Sequence, residues 1–151
     1  MAESRDQRDA GRQLFCRVIT PEEVIYDGEA NLVIARIADG DIGVLVDHSP
    51  LVSTMEPGEV RIRVDDEQHV YAISDGFFKV SENLVQVLVE EAVVPEDIDV
   101  DAAENRVEEA ERDLSEVSEE AEDRDRVVAE IERRQRVGEN LVRVARKYSE
   151  G

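Results

Sequence analysis

The sequence predicts a two-part fold of the β + α class. An N-terminal antiparallel β-sandwich of about 8–10 short strands is followed by a C-terminal hairpin of two helices. Three observations carry this. Between Leu14 and Val94, apolar and polar residues alternate in short runs separated by turn dipeptides. Beyond Pro95 the apolar spacing lengthens to three and four, with no further proline and one internal glycine, Gly138. The charge also changes sign along the helical part.

Residues 1–13 mix acids and bases without an apolar core and read as a polar, disordered extension rather than a secretory signal. Residues 14–96 form the sandwich. Its expected strands are Leu14–Ile19, Val24–Tyr26, Ala30–Ile37, Gly43–Val46, Leu51–Met55, Glu59–Val64, Gln68–Ile73, Phe77–Val80 and Leu84–Glu90. In Glu59–Val64, for example, Val60, Ile62 and Val64 share one face, and Glu59, Arg61 and Arg63 the other. Asp27-Gly28, Asp39-Gly40, Ser49-Pro50, Pro57-Gly58, Asp65-Asp66 and Asp75-Gly76 supply turns. Strands this closely spaced leave no room for crossover helices, which excludes a parallel α/β fold.

Residues 97–151 form the hairpin, with helices over about 99–118 and 123–148. Val100, Ala103, Val107, Ala110, Leu114, Val117 and Ala121 follow a heptad seam. Asp101 and Glu104 resemble a capping box, and Asp97 or Asp99 are alternative caps. The polar stretch Ser118–Asp125 separates the helices, and Asp123 or Asp125 would cap the second. One continuous helix is disfavoured because Arg124 and Gln135 would then occupy the seam. A seam built largely of Val and Ala buries little area, which suits an element that moves.

The formal charge of the 151 residues is −20. Nucleic acid and anionic membrane surfaces are therefore excluded as direct partners. No apolar run reaches the roughly 20 residues of a membrane span. The lone Cys16 cannot form an internal disulfide, which suits a reducing compartment, and reads as a small buried residue. The net charge is −12 over residues 14–96, −10 over 97–122 and +2 over 123–151. The last segment, carrying Arg124, Arg126, Arg133, Arg134, Arg136, Arg143, Arg146 and Lys147, is thus the positive exception. These cations either pair within the hairpin or meet an acidic partner.

No catalytic constellation stands out. Asp47-His48-Ser49 has the residue types of a triad, but neighbours on an extended chain point apart. Asp97, Asp99, Asp101 and Glu108 fit four positions of a calcium loop, yet Ala102 stands where its glycine belongs, and helix capping explains the acids better. No metal site, cofactor or active site is expected.

Several motifs together resemble the epsilon subunit of F-type ATP synthases. They are Thr20-Pro21-Glu22, Tyr26-Asp27-Gly28-Glu29-Ala30, Asp39-Gly40-Asp41-Ile42-Gly43-Val44-Leu45, His48-Ser49-Pro50-Leu51, Pro57-Gly58-Glu59-Val60-Arg61-Ile62 and Ser74-Asp75-Gly76-Phe77. The resemblance runs from Leu14 to Tyr148. It implies a non-catalytic rotor subunit, peripheral on the cytoplasmic face of the membrane and monomeric when isolated. Its partners would be the gamma subunit, the c-ring and the alpha/beta head. It would couple rotation of the c-ring and gamma shaft to ATP synthesis, and its helices would extend to inhibit ATP hydrolysis. Asp41 and His48 match ring-facing motif positions. Arg124, Arg126, Arg133, Arg134 and Arg136 match, by type and region, residues that meet the beta subunit. Two departures matter: Val46-Asp47 stands where the family often has Pro-Gly, and the ATP motif of some members is broken. Ile98 and Asp99 are present, but Ala102 replaces its arginine, so ATP binding is expected to be weak or absent. The rival reading is a sandwich adaptor that oligomerises through heptad helices.

Overall fold

The computed structural model describes residues 12–149. The chain forms two compact units, one ending at Ala92 and the other beginning at Val93. Of the expected polar extension, residues 1–11 lie outside the described residues, while Arg12 and Gln13 lead into the first strand.

The first unit contains β1 (Leu14–Ile19), β2 (Val24–Ala30), β3 (Leu32–Ile37), β4 (Gly40–Val44), β5 (Leu51–Met55), β6 (Gly58–Val64), β7 (Glu67–Ile73), β8 (Gly76–Ser81) and β9 (Leu84–Val89), followed by the two-residue β10 (Ala92–Val93). Hydrogen bonding links them in the order β10-β7-β6-β3-β5-β8-β9-β1-β2, with β4 on β3. The only pairing between β3 and β5 is Ile37 with Met55. The ladder therefore folds there into two layers, β4-β3-β6-β7 against β5-β8-β9-β1-β2. Tyr26 closes the opposite side: its ring lies 5.2 Å from His69 and 6.4 Å from Tyr71.

Period-two alternation positions the core. Leu14, Cys16 and Val18 of β1 point inward with Val60 and Ile62 of β6, Phe78 and Val80 of β8, and Val85 and Val87 of β9. Phe15, Arg17, Phe77, Lys79 and Leu88 point outward. Burial pushes the Cys16 thiol up to about 12, as expected of a small core residue.

Four expectations are corrected. The sandwich is not wholly antiparallel, because β1 pairs in parallel with β9 from Phe15–Leu84 to Ile19–Leu88. No crossover helix is needed, since all the intervening strands separate the two. Asp27-Gly28 is not a turn but lies within β2, opposite Arg17 and Cys16. Arg17 Nε donates to Asp27 Oδ1 at 3.2 Å, and the chain instead breaks at Asn31. β4 begins at Gly40, not Gly43, and the turn is the two residues Ala38-Asp39. Gly40 has φ +118°, a conformation side chains resist. In the second unit Asp99, not Asp101, caps the first helix: its carboxylate accepts from Ala102 N at 3.0 Å.

That unit opens with a single 3-10 turn, Pro95–Asp97, and continues as α1 (Val100–Glu116) and α2 (Arg124–Ser149). Ala103 and Ala110 are the buried seam positions of α1, with Val107 and Leu114 half-buried. A Cβ added to Gly138 of α2 would lie 2.9 Å from Val107 Cγ2 and 3.2 Å from Ala103 O. Small residues on both helices thus allow a close approach. The stretch between the helices is non-helical, as its polarity predicts. Asp123 precedes α2, and its carboxylate takes Arg126 Nη2 at 3.0 Å.

Candidate functional site

Three regions carry the candidate residues. The first is the end of the sandwich around β4. Asp41 sits on β4, exposed and opposite Arg36, rather than in a loop. His48 follows the far end of β4, after a turn closed by His48 N donating to Leu45 O at 3.2 Å. Its Nδ1 lies 2.7 Å from Ser49 O, which places the proton on that nitrogen. β4 separates Asp41 from His48, so the two do not form one cluster. Between them Leu45 and Val46 are exposed apolar residues, 58% and 37% accessible. Asp47 has φ 65° and is held on both carboxylate oxygens, by Asn83 and by Arg12. These hydrogen bonds, the Asn83 bond foremost, lower the Asp47 pKa.

The second region is the start of α1. Val93, Asp97, Ile98, Asp99, Ala102, Ala103, Arg106 and Leu141 line a depression of about 160 Å³. Pockets that take small organic ligands usually measure about 300–1,000 Å³. The Asp99 carboxylate caps α1, Ala102 brings no guanidinium, and Asp97 adds a second acid. Arg106 is the one cation in this lining.

The third region is α2. Arg134 Nη2 donates to Asp113 Oδ2 at 3.1 Å, and Arg146 Nη2 to Glu104 Oε1 at 3.2 Å, both across the hairpin. Arg126 pairs locally with Asp123. Arg143 Nη2 donates to Asn140 Oδ1, and Asn140 is a buried polar residue of α2. Arg124 is half-buried, and its Nε has no hydrogen-bond partner. Arg133 is half-buried, whereas Arg136 is exposed. The five arginines therefore do not converge on one site; they spread around and along α2. Pairing within the hairpin accounts for Arg134 and Arg146.

One feature escaped sequence reasoning. Across the outer face of the second layer, Phe77 of β8 pairs with Leu88 of β9, Leu88 with Ile19 of β1, and Ile19 with Val24 of β2. Val52 of β5 stands nearby, opposite Lys79. Val24, Val52 and Phe77 are more than half exposed. A contiguous apolar row on an outer sheet face marks a docking surface. Its signal was Phe77-Phe78, where alternation sends one ring inward and the other into solvent.

The fold is that of a two-part protein, a β-sandwich followed by two helices. Residues 13–95 match the family of the ATP synthase delta/epsilon chain β-sandwich domain. The chain is 62% identical over 142 residues to the ATP synthase epsilon chain of Rubrobacter xylanophilus, covering 93% of this chain and 97% of that one. It is 42% identical over 105 residues to the epsilon chain of Brevibacillus brevis, covering 69% and 80%. Among solved structures, it resembles a chain of the Euglena gracilis mitochondrial ATP synthase OSCP/F1/c-ring assembly. The TM-score there is 0.69 at 25% identity, over 86% of this chain and 79% of that one. The chain belongs to the ATP synthase epsilon chain family. It is a central-stalk subunit of the F-type ATP synthase, peripheral to the membrane; the enzyme is the complex, and epsilon is one of its subunits. No helix among the described residues is long and apolar enough to cross a membrane.

Proposed function

We propose that this subunit couples rotation of the c-ring and gamma shaft to ATP synthesis, and that its hairpin restrains ATP hydrolysis by extending into the alpha/beta head. The outer row of Phe77, Leu88, Ile19 and Val24 seats the gamma shaft. The loop Leu45–His48, with Asp41 beyond β4, meets the c-ring on the cytoplasmic face of the membrane. The observation that carries the inhibitory role is the construction of the hairpin. Its helices meet through Ala103, Ala110 and Gly138 and are tied by two part-exposed ion pairs, Asp113–Arg134 and Glu104–Arg146. Exposed pairs contribute about 0–1 kcal/mol each, so an acidic surface on the head can compete for these arginines. The seam of α1 faces α2 of the same chain, which leaves no heptad face for oligomerisation and favours a monomer when isolated.

Deleting residues 97–151 is expected to leave the complex assembled and to raise its ATP hydrolysis. Unchanged hydrolysis in the assembled complex would remove the inhibitory role. The start of α1 does not bind ATP in this reading, for want of a cation at Ala102. Titration calorimetry is expected to give no heat up to millimolar ATP, and micromolar binding would overturn that.

A further inference from the structure

Arg12 lies one residue before the stretch matched by the family. Its guanidinium reaches the loop between β4 and β5: Nε donates to Asp47 Oδ2 at 2.7 Å, and Nη2 lies 2.5 Å from the same oxygen. The other carboxylate oxygen, Oδ1, accepts from Asn83 Nδ2 at 3.2 Å. Asn83 also accepts the Asp47 backbone N–H on its own Oδ1, at 2.6 Å. Asn83 is itself anchored, because Phe15 N donates to its carbonyl at 2.8 Å. Three chain segments distant in sequence thus meet on one residue. Asp47 and Asn83 both hold left-handed backbone, φ 65° and 63°, a conformation that non-glycine residues adopt at a cost. A glycine takes such a φ freely. Here two side chains do by hydrogen bonding what a glycine does by having no Cβ.

On each side of this clamped residue stand the groups offered to a partner, the exposed Leu45 and Val46 before it and His48 after it. We infer that Arg12 is a positioning residue for the c-ring contact: with Asn83 it locks the Asp47 turn so that Leu45, Val46 and His48 are presented in one arrangement. The inference rests on the proposed c-ring reading of this loop.

The test uses full-length chains added to complex lacking the subunit, with two readouts. One is affinity for the c-ring and gamma subcomplex; the other is ATP-driven proton pumping relative to hydrolysis. Arg12→Ala is expected to weaken binding about three- to fivefold at low salt, the scale of losing one exposed ion pair. The loss should shrink towards unity near 1 M salt as screening removes the pair from the wild type as well. Arg12→Lys should recover part of the affinity, and the melting temperature should stay within about 3 °C. In Asp47→Gly, whose turn needs no clamp, adding Arg12→Ala should change nothing further. Hydrogen exchange at the Asp47 amide should speed up in Arg12→Ala alone. Equal binding by Arg12→Ala and wild type, where Leu45→Asp abolishes binding, overturns the positioning role. If Leu45→Asp also binds normally, the c-ring reading of the loop falls, and the inference with it.

Discussion

The sandwich and the hairpin are packed in different ways. The sandwich buries large branched and aromatic side chains, among them Val60, Ile62, Phe78, Val85 and Val87, none more than 1% exposed. Each contributes roughly 1.5–3 kcal/mol on burial. The hairpin interface is centred on alanines and a glycine and is bordered by ion pairs in contact with water. A methyl group contributes about 0.8 kcal/mol. The lesson is one of division: the part proposed to keep its shape under torque has a stiff core, and the part proposed to move has contacts that are easily exchanged.

Two glycines provide the largest test of that contrast. A Cβ on Gly76 would lie 2.1 Å from the carbonyl oxygen of Leu88, backbone of the neighbouring strand. β8 and β9 would have to part, so Gly76→Ala is expected to cost about 3 kcal/mol or more. At Gly138 the nearest obstacles are Val107 Cγ2 at 2.9 Å and the Ala103 carbonyl oxygen at 3.2 Å, contacts that two helices can relieve by shifting a few tenths of an ångström. Alanine there also gains about 1 kcal/mol of helix propensity. Gly138→Ala should therefore stay within about 1 kcal/mol of wild type. Urea unfolding followed by circular dichroism measures both, and equal costs would break the comparison.

Alkaline pH gives the next effect, and it falls on the sandwich. Burial raises the Cys16 thiol from 9.0 to about 12, and burial first of all raises Tyr26 and Tyr71 as well. For these groups the folded state holds its proton while the unfolded chain has released it. The Cys16 contribution is intact below pH 9 and is lost as pH rises towards 12, and the two tyrosines act in the same direction. At pH 10.5 the loss from Cys16 alone is about 2 kcal/mol. Cys16→Ala should flatten the fall of stability above pH 9, and the folded wild type should resist thiol alkylation at pH 8. Rapid alkylation of the native chain would contradict the burial argument.

The sequence carried most of this architecture, and its failures have physical causes. Alternation located the strands, and the change of period at Pro95 located the helices. Local turn chemistry misled at Asp27-Gly28, because the pairing of Asp27 with Arg17 keeps the strand going, and side-chain pairing across a ladder is not visible in a dipeptide. The parallel β1–β9 pair was equally hidden, being set by which strands meet when the layers close. At the candidate sites the motifs gave Asp41 and His48 individually but not their separation by β4. Charge counting found the basic segment and left pairing within the hairpin open, but it could not say which cations α1 takes up, namely Arg134 and Arg146. Gly138 was visible only as a departure from helix composition, although it is a point of close helix approach.

The smallest effect concerns those ion pairs, and here direction decides more than size. Arg134 and Asp113 are 39% and 46% exposed, so losing their pair should cost the hairpin less than about 1 kcal/mol and nothing measurable at high salt. The two substitutions that break it are not equivalent in the complex. Asp113→Asn removes the anion, loosens the hairpin and leaves Arg134 free for an acidic surface on the head. Arg134→Ala loosens the hairpin equally but removes the cation as well. If the hairpin and the head compete for this arginine, Asp113→Asn should deepen inhibition of ATP hydrolysis by up to about fivefold at low salt, the equivalent of 1 kcal/mol. Arg134→Ala should not deepen it, and the double variant should behave as Arg134→Ala. Hydrolysis rates of the assembled complex read this directly. Equal inhibition by both single variants would mean that the pair holds the helices together and takes no part in the exchange with the head.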